Sequence, residues 1–108
     1  MPDIKQILNP DQWKGNIFNG QWRAALGGTL TVREPATGEV LAEIGQANAA
    51  DAESSIKAAV EAQRVWAKVA PRERAGIFRR AAAILQEHFD ELVMWVVRET
   101  GGIIPKGQ

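Results

Sequence analysis

Hydrophobic spacing divides the chain into a strand-forming front and a helix-forming back. The back is organised around Pro71 to Gly102, where apolar residues recur at helical spacing in two runs. In the first run Ala75, Phe78, Ala82, Leu85 and Phe89 share a face, and Pro71 suits a first helical position, whose N–H has no helical partner. In the second run Leu92, Val93, Trp95, Val96 and Thr100 share a side. Asp90 is its expected N-cap, and Gly101-Gly102 its expected stop. Upstream, Ala52, Ile56, Ala59, Val60, Gln63, Trp66 and Ala67 form a stripe opposite Lys57, Glu61, Arg64 and Lys68. Asn48 with Asp51 three residues on reads as a capping box for that helix. The pattern predicts helices over 49–68, 71–87 and 90–101.

The front alternates with period two. Asn19-Gly20 between Ile17-Phe18 and Gln21-Trp22 is a strong short-range hairpin signal, because a type I′ turn needs positive φ at both central positions. Leu30 and Val32 share a face, Pro35-Ala36-Thr37-Gly38 is turn chemistry, and Val40, Ala42 and Ile44 resume the alternation. Two hairpins are therefore expected over 17–45, the second with one apolar face. Residues 1–15 read as an irregular arm in which Ile4, Ile7, Leu8 and Trp13 pack onto the body. The expected fold is α+β: β-hairpins followed by three amphipathic helices, with 16–108 as one segment after the arm.

A short break at His88–Asp90 predicts an αα-hairpin, with the last two helices roughly antiparallel. That geometry places Arg74 beside Glu99 on facing apolar sides, as a half-buried ion pair. Removing one member of a buried pair costs roughly 3–5 kcal/mol.

Thirteen basic and thirteen acidic residues cancel, which gives no electrostatic case for a general nucleic-acid or anionic-membrane binder. The chain has no cysteine, and so no disulfide, thiolate metal ligand or cysteine nucleophile. No apolar run approaches the ~18–20 residues that span a bilayer. The first residues lack the basic and apolar regions of a secretory signal, so a cytoplasmic protein is expected.

Candidate chemistry is sparse. There is no G-x-G-x-x-G, and Gly102 to Gly107 has the glycine spacing of a phosphate loop without its Lys-Ser/Thr. The single histidine, His88, reads as a polar residue at the helix break rather than a base, since no oriented nucleophile accompanies it. Glu87, Asp90 and Glu91 read as a solvated group suited to the helix dipole rather than an acid–base pair. Arg72, Arg79 and Arg80 form a small basic patch without interleaved aromatics. Trp13, Trp22, Trp66 and Trp95 read as packing residues. Catalytic, cofactor-binding and metal-binding residues are all expected to be none.

Five stretches in register carry a resemblance. They are Phe18-Asn19-Gly20-Gln21-Trp22, Val32 through Pro35-Ala36-Thr37-Gly38-Glu39 to Leu41, Ala59 through Ala62-Gln63-Arg64-Val65 to Trp66, Arg72 to Arg80, and Arg98-Glu99-Thr100-Gly101. Together they resemble the opening of the NAD(P)-dependent aldehyde dehydrogenases. The Ala-Gln-x-x-Trp and Glu-Thr-Gly-Gly…Pro-Lys wording is most similar to the benzaldehyde and vanillin dehydrogenase branch.

The resemblance implies part of an α/β nucleotide-binding domain. It implies a parent that oxidises an aldehyde, aromatic by branch, to its acid with a cysteine thiolate and NAD(P)+ as hydride acceptor. It also implies that the family's catalytic and cofactor-binding residues lie beyond the position matching Gln108, so none maps onto this chain. The chain is then expected to be an inactive N-terminal scaffold segment whose partner is the remainder of that enzyme. Its apolar faces exceed what three short helices bury, so self-association is also expected. The alternative class is a free-standing interaction module.

Overall fold

The computed structural model describes residues 7–108. Of the residues expected to pack the arm, Ile4 lies outside the described residues. Two compact units divide the chain, one of Asn9–Val32 with Ala42–Val69, the other of Arg33–Leu41 with Ala70–Gln108 and the described end of the arm.

The first unit starts with a single helical turn, α1 (Pro10–Trp13), where irregular chain was expected. Asn9 caps it by accepting from the Asp11 N–H at 3.0 Å, and Pro10 takes the first position. Strands β1 (Asn16–Phe18) and β2 (Trp22–Ala24) pair antiparallel, with Phe18 opposite Trp22. Their rings meet edge to face at 5.2 Å between centroids. The expected type I′ turn is not formed. The connection spans three residues, Asn19 to Gln21, and only its glycine is left-handed, at φ 105 for Gly20.

Strands β3 (Thr29–Arg33) and β4 (Val40–Gly45) form the second hairpin. Its base is closed by Gly27 N–H to Gln46 O and Gln46 N–H to Gly28 O, both 2.9 Å. Gly45 lies against β1: a Cβ there would stand 2.7 Å from the Asn16 carbonyl oxygen. The apolar face of this hairpin is only partly covered, for Ala42 is buried while Leu30 and Val40 are exposed.

Helix α2 (Ala49–Trp66) starts with the expected capping box and ends two residues earlier than expected. Lys68 N–H and Val69 N–H bond three residues back, which tightens the end into a turn.

In the second unit, α3 (Pro71–Glu87) and α4 (Phe89–Thr100) are separated by His88 alone. The expected αα-hairpin is therefore not formed. A single residue is shorter than the two- to five-residue connection that reverses a helix. Helical hydrogen bonding also runs through the break, from His88 N–H to Ile84 O and from Leu92 N–H to His88 O, both 3.1 Å. The result is an elbow. Helix α4 begins at Phe89, so Asp90 falls in its first turn and is not its cap. Without reversal Arg74 and Glu99 do not meet: neither forms an ion pair among the described residues, and Glu99 is exposed.

Gly101, left-handed at φ 67, ends α4, and a further turn, α5 (Ile104–Gly107), packs back on it. The tip of the second hairpin meets α4 through Glu34, whose Oε1 lies 3.5 Å from Arg98 Nε.

The fold is thus α+β, with two two-stranded sheets, three long helices and two single turns among the described residues. No helix among the described residues is long and apolar enough to cross a membrane. Apolar burial is meagre. Among the described residues, only Ala42 and Val93 of the hydrophobic side chains are buried, while Asp51, His88 and Glu91 are buried and polar. The predicted faces of α2 and α3 are largely bare, with Ile56 65% and Phe78 67% exposed.

Candidate functional site

Among the described residues each unit holds one buried carboxylate, and each serves as an anchor for backbone. In the first unit Asp51 sits in the opening turn of α2, held there by the capping box. Its Oδ2 accepts the Leu26 N–H at 2.8 Å and the Asn48 N–H at 3.2 Å. Asn48 Oδ1 accepts the Asp51 N–H in return at 2.9 Å. The other oxygen, Oδ1, is buried and has no hydrogen-bond partner among the described residues. Arg23 Nη2 stands 4.0 Å from it and supplies the nearest opposite charge. Around Asp51, Arg23 donates to Ser54 Oγ and Asn19 donates to Ser55 Oγ, both at 3.4 Å. The first two turns of α2 are thereby tied to the β1–β2 hairpin by polar groups.

In the second unit Glu91 lies in the first turn of α4 and is 5% exposed. Its Oε2 accepts the Ile7 N–H and its Oε1 the Leu8 N–H, each at 3.0 Å. His88 Nδ1 lies 3.5 Å from Oε2, and both side chains are buried. Glu91 is therefore not part of a solvated acidic group, as its neighbours Glu87 and Asp90 are. The helix start was a sound reason to expect an acid at this position, but burial is decided by the arm that docks there.

Chemically, Glu91 has both oxygens occupied, and Asp51 has one oxygen occupied and the other buried. A general base needs a reachable proton on a positioned substrate or nucleophile. Glu91 instead spends both oxygens on backbone donors, and Asp51 is 1% exposed beneath the hairpin. His88 comes together with Glu91 alone among the residues singled out from sequence. Arg72, Arg79 and Arg80 are exposed. No group of three metal-ligating side chains is present among the described residues.

The glycine-spaced tail does not fit a dinucleotide phosphate. Ile104–Gly107 is one helical turn, and Gly107 is pressed onto α4, where a Cβ would stand 3.0 Å from Val93 Cγ1. Its small size serves packing against α4.

The aldehyde dehydrogenase family model matches residues 22–108. The chain is 44% identical over 97 residues to vanillin dehydrogenase of an Amycolatopsis species, covering 90% of this chain and 20% of that enzyme. It is 42% identical over 95 residues to the NAD+-dependent benzaldehyde dehydrogenase of Pseudomonas putida, covering 88% of this chain and 20% of that enzyme. A solved NAD-dependent benzaldehyde dehydrogenase from Corynebacterium glutamicum superposes with a TM-score of 0.79 at 35% identity, over 87% of this chain and 21% of that one.

The chain belongs to the aldehyde dehydrogenase family. It spans about a fifth of the length of the curated relatives it matches. The resemblance drawn from the Asn-Gly…Trp and Pro-Ala-Thr-Gly-Glu stretches is thereby established at family level.

Proposed function

We propose that these residues are N-terminal scaffold of an NAD-dependent aldehyde dehydrogenase that oxidises an aromatic aldehyde to its carboxylic acid in the cytoplasm. The supporting observation is the fate of its acidic groups within a family match that covers most of the chain. Glu91 commits both oxygens, and Asp51 one, to backbone N–H groups, and the sequence offers no cysteine as nucleophile. In this reading the residues hold shape and do no chemistry. The aromatic substrate class and the choice of NAD rest on the vanillin and benzaldehyde dehydrogenases it is similar to.

Its partner, in the same reading, is the remainder of that enzyme. The stripe of Ile56, Ala59 and Val60 on α2 and the exposed Phe78 and Leu85 on α3 are surfaces the remainder covers. Isolated, such faces associate with each other.

The test is an assay of the purified 108-residue chain with benzaldehyde or vanillin and NAD+ or NADP+, following reduced nucleotide. The expected result is no turnover and no saturable nucleotide binding in calorimetry. Either signal would overturn the scaffold reading. The alternative, a free-standing interaction module, is favoured by the same exposed faces. Sequencing the gene in frame past Gln108 separates the two: a continuation that contains a cysteine supports the scaffold, and a stop codon supports the module.

A further inference from the structure

We infer that Glu91 is a latch that straps the N-terminal arm onto the α3–α4 elbow, and that the strap requires a carboxylate rather than any polar side chain. It does not depend on the functional reading above. The geometry is specific. Ile7 and Leu8 are consecutive, yet both N–H groups turn to one side chain, one to each oxygen. In an extended strand successive N–H groups point to opposite sides. The chain at Ile7–Leu8 is therefore bent around the anion, in the way consecutive backbone N–H groups make an anion-binding concavity. The contact closes a separation of 84 residues in sequence for Ile7.

The acceptor demand follows from the donors. A carboxylate offers two accepting oxygens, whereas a glutamine amide offers one oxygen and an NH2 that would confront the second N–H. Asp90, next along the same turn, is exposed and takes no part. His88 Nδ1 stands 3.5 Å from Oε2, the same oxygen that accepts the Ile7 N–H, and His88 is also the single residue of the elbow. Strap and elbow are thus built within one helical turn. Losing Glu91 as acceptor frees two backbone donors, at Ile7 and Leu8.

Amide exchange by NMR on the full 108-residue chain tests this. Glu91→Gln is expected to speed exchange at one of the two amides, Ile7 or Leu8, by at least about tenfold, the weight of a charge-assisted hydrogen bond. Glu91→Ala is expected to do so at both. Asp90→Asn is the control and is expected to change neither. Protection retained at both amides in Glu91→Gln would overturn the latch, as would equal loss in the Asp90→Asn control. A measurement on the unaltered chain stands apart from how the variants fold. Scalar coupling across the hydrogen bonds from the Ile7 and Leu8 nitrogens to the Glu91 carboxyl carbon is expected, and unprotected amides without such coupling would overturn the proposal.

Discussion

The two ends of α2 are held in opposite ways. Its first turns are polar and fastened: Asp51 is 1% exposed, takes two backbone N–H groups, and Ser54 and Ser55 receive side chains from the β1–β2 hairpin. Its later turns are apolar and uncovered, with Ile56 65% and Val60 49% exposed. Hydrophobic burial is ordinarily the dominant favourable term in folding, yet here it is left largely unused while hydrogen bonds set where the helix goes. That inversion makes sense for scaffold. Polar anchors are directional and fix geometry, whereas the bare stripe is, in the proposed function, the area that the remainder of the enzyme covers. The second unit repeats the contrast, with Glu91 buried at one end of α4 and Phe78 and Leu85 of α3 exposed.

The sharpest way to break this comparison is to remove the anchor. Asp51→Ala leaves the Leu26 and Asn48 N–H groups without their acceptor, and the expected loss is about 2–5 kcal/mol, since each hydrogen bond to a charged group contributes roughly 1.5–3. Urea unfolding followed by tryptophan fluorescence reads it. A loss no larger than that of an exposed substitution would mean the anchor is ornamental.

Next in size is Gly45→Ala, which drives a Cβ into the Asn16 carbonyl at 2.7 Å. Overpacking against backbone costs about 1–3 kcal/mol, and thermal unfolding should shift accordingly.

The bare stripe should respond in the opposite sense. Ile56→Asp with Val60→Asp is expected to leave stability within about 0.5 kcal/mol, as exposed positions do, but to weaken self-association in sedimentation velocity. Strong destabilisation would show that the stripe is buried after all.

Smallest are the surface charges. Lys57→Ala removes an exposed i,i+4 pair with Glu53 at 2.7 Å, and a change of only a few tenths of a kcal/mol is expected by urea titration. A double-mutant cycle on Arg74 and Glu99 should be additive within about 0.5 kcal/mol, because the elbow keeps them apart.

Which of these features were legible in the sequence depended on how far their causes lay along the chain. The Asn48–Asp51 capping box and the Pro71 helix start are local devices, and both stand where the sequence puts them. The elbow was harder, for the sequence marks a break at His88 but not its length, and one residue bends where several would reverse. Arg74 and Glu99 were paired only because reversal was expected.

The anchors were partly hidden. Asp51 was visible as a cap partner, but its bond to Leu26, 25 residues away, leaves no local signal. Glu91 was assigned to solvent because a helix start accounts for an acid without burial, and nothing near it in sequence points to Ile7 and Leu8. The amphipathic stripes were visible as faces. That they stay uncovered was legible only as an excess of apolar residues over what three short helices bury.

In the function proposed above, polar anchors shape these residues while their apolar stripes are covered by the rest of an aldehyde dehydrogenase. The most direct test of that proposal is coexpression of this chain with a vanillin dehydrogenase polypeptide lacking the matching segment, followed by copurification and an assay of NADH formation from vanillin. The account predicts a stable complex that forms NADH when neither part does so alone, and loss of the complex with Ile56→Asp and Val60→Asp. Two soluble parts that never associate, or NADH formed by this chain alone, would contradict it.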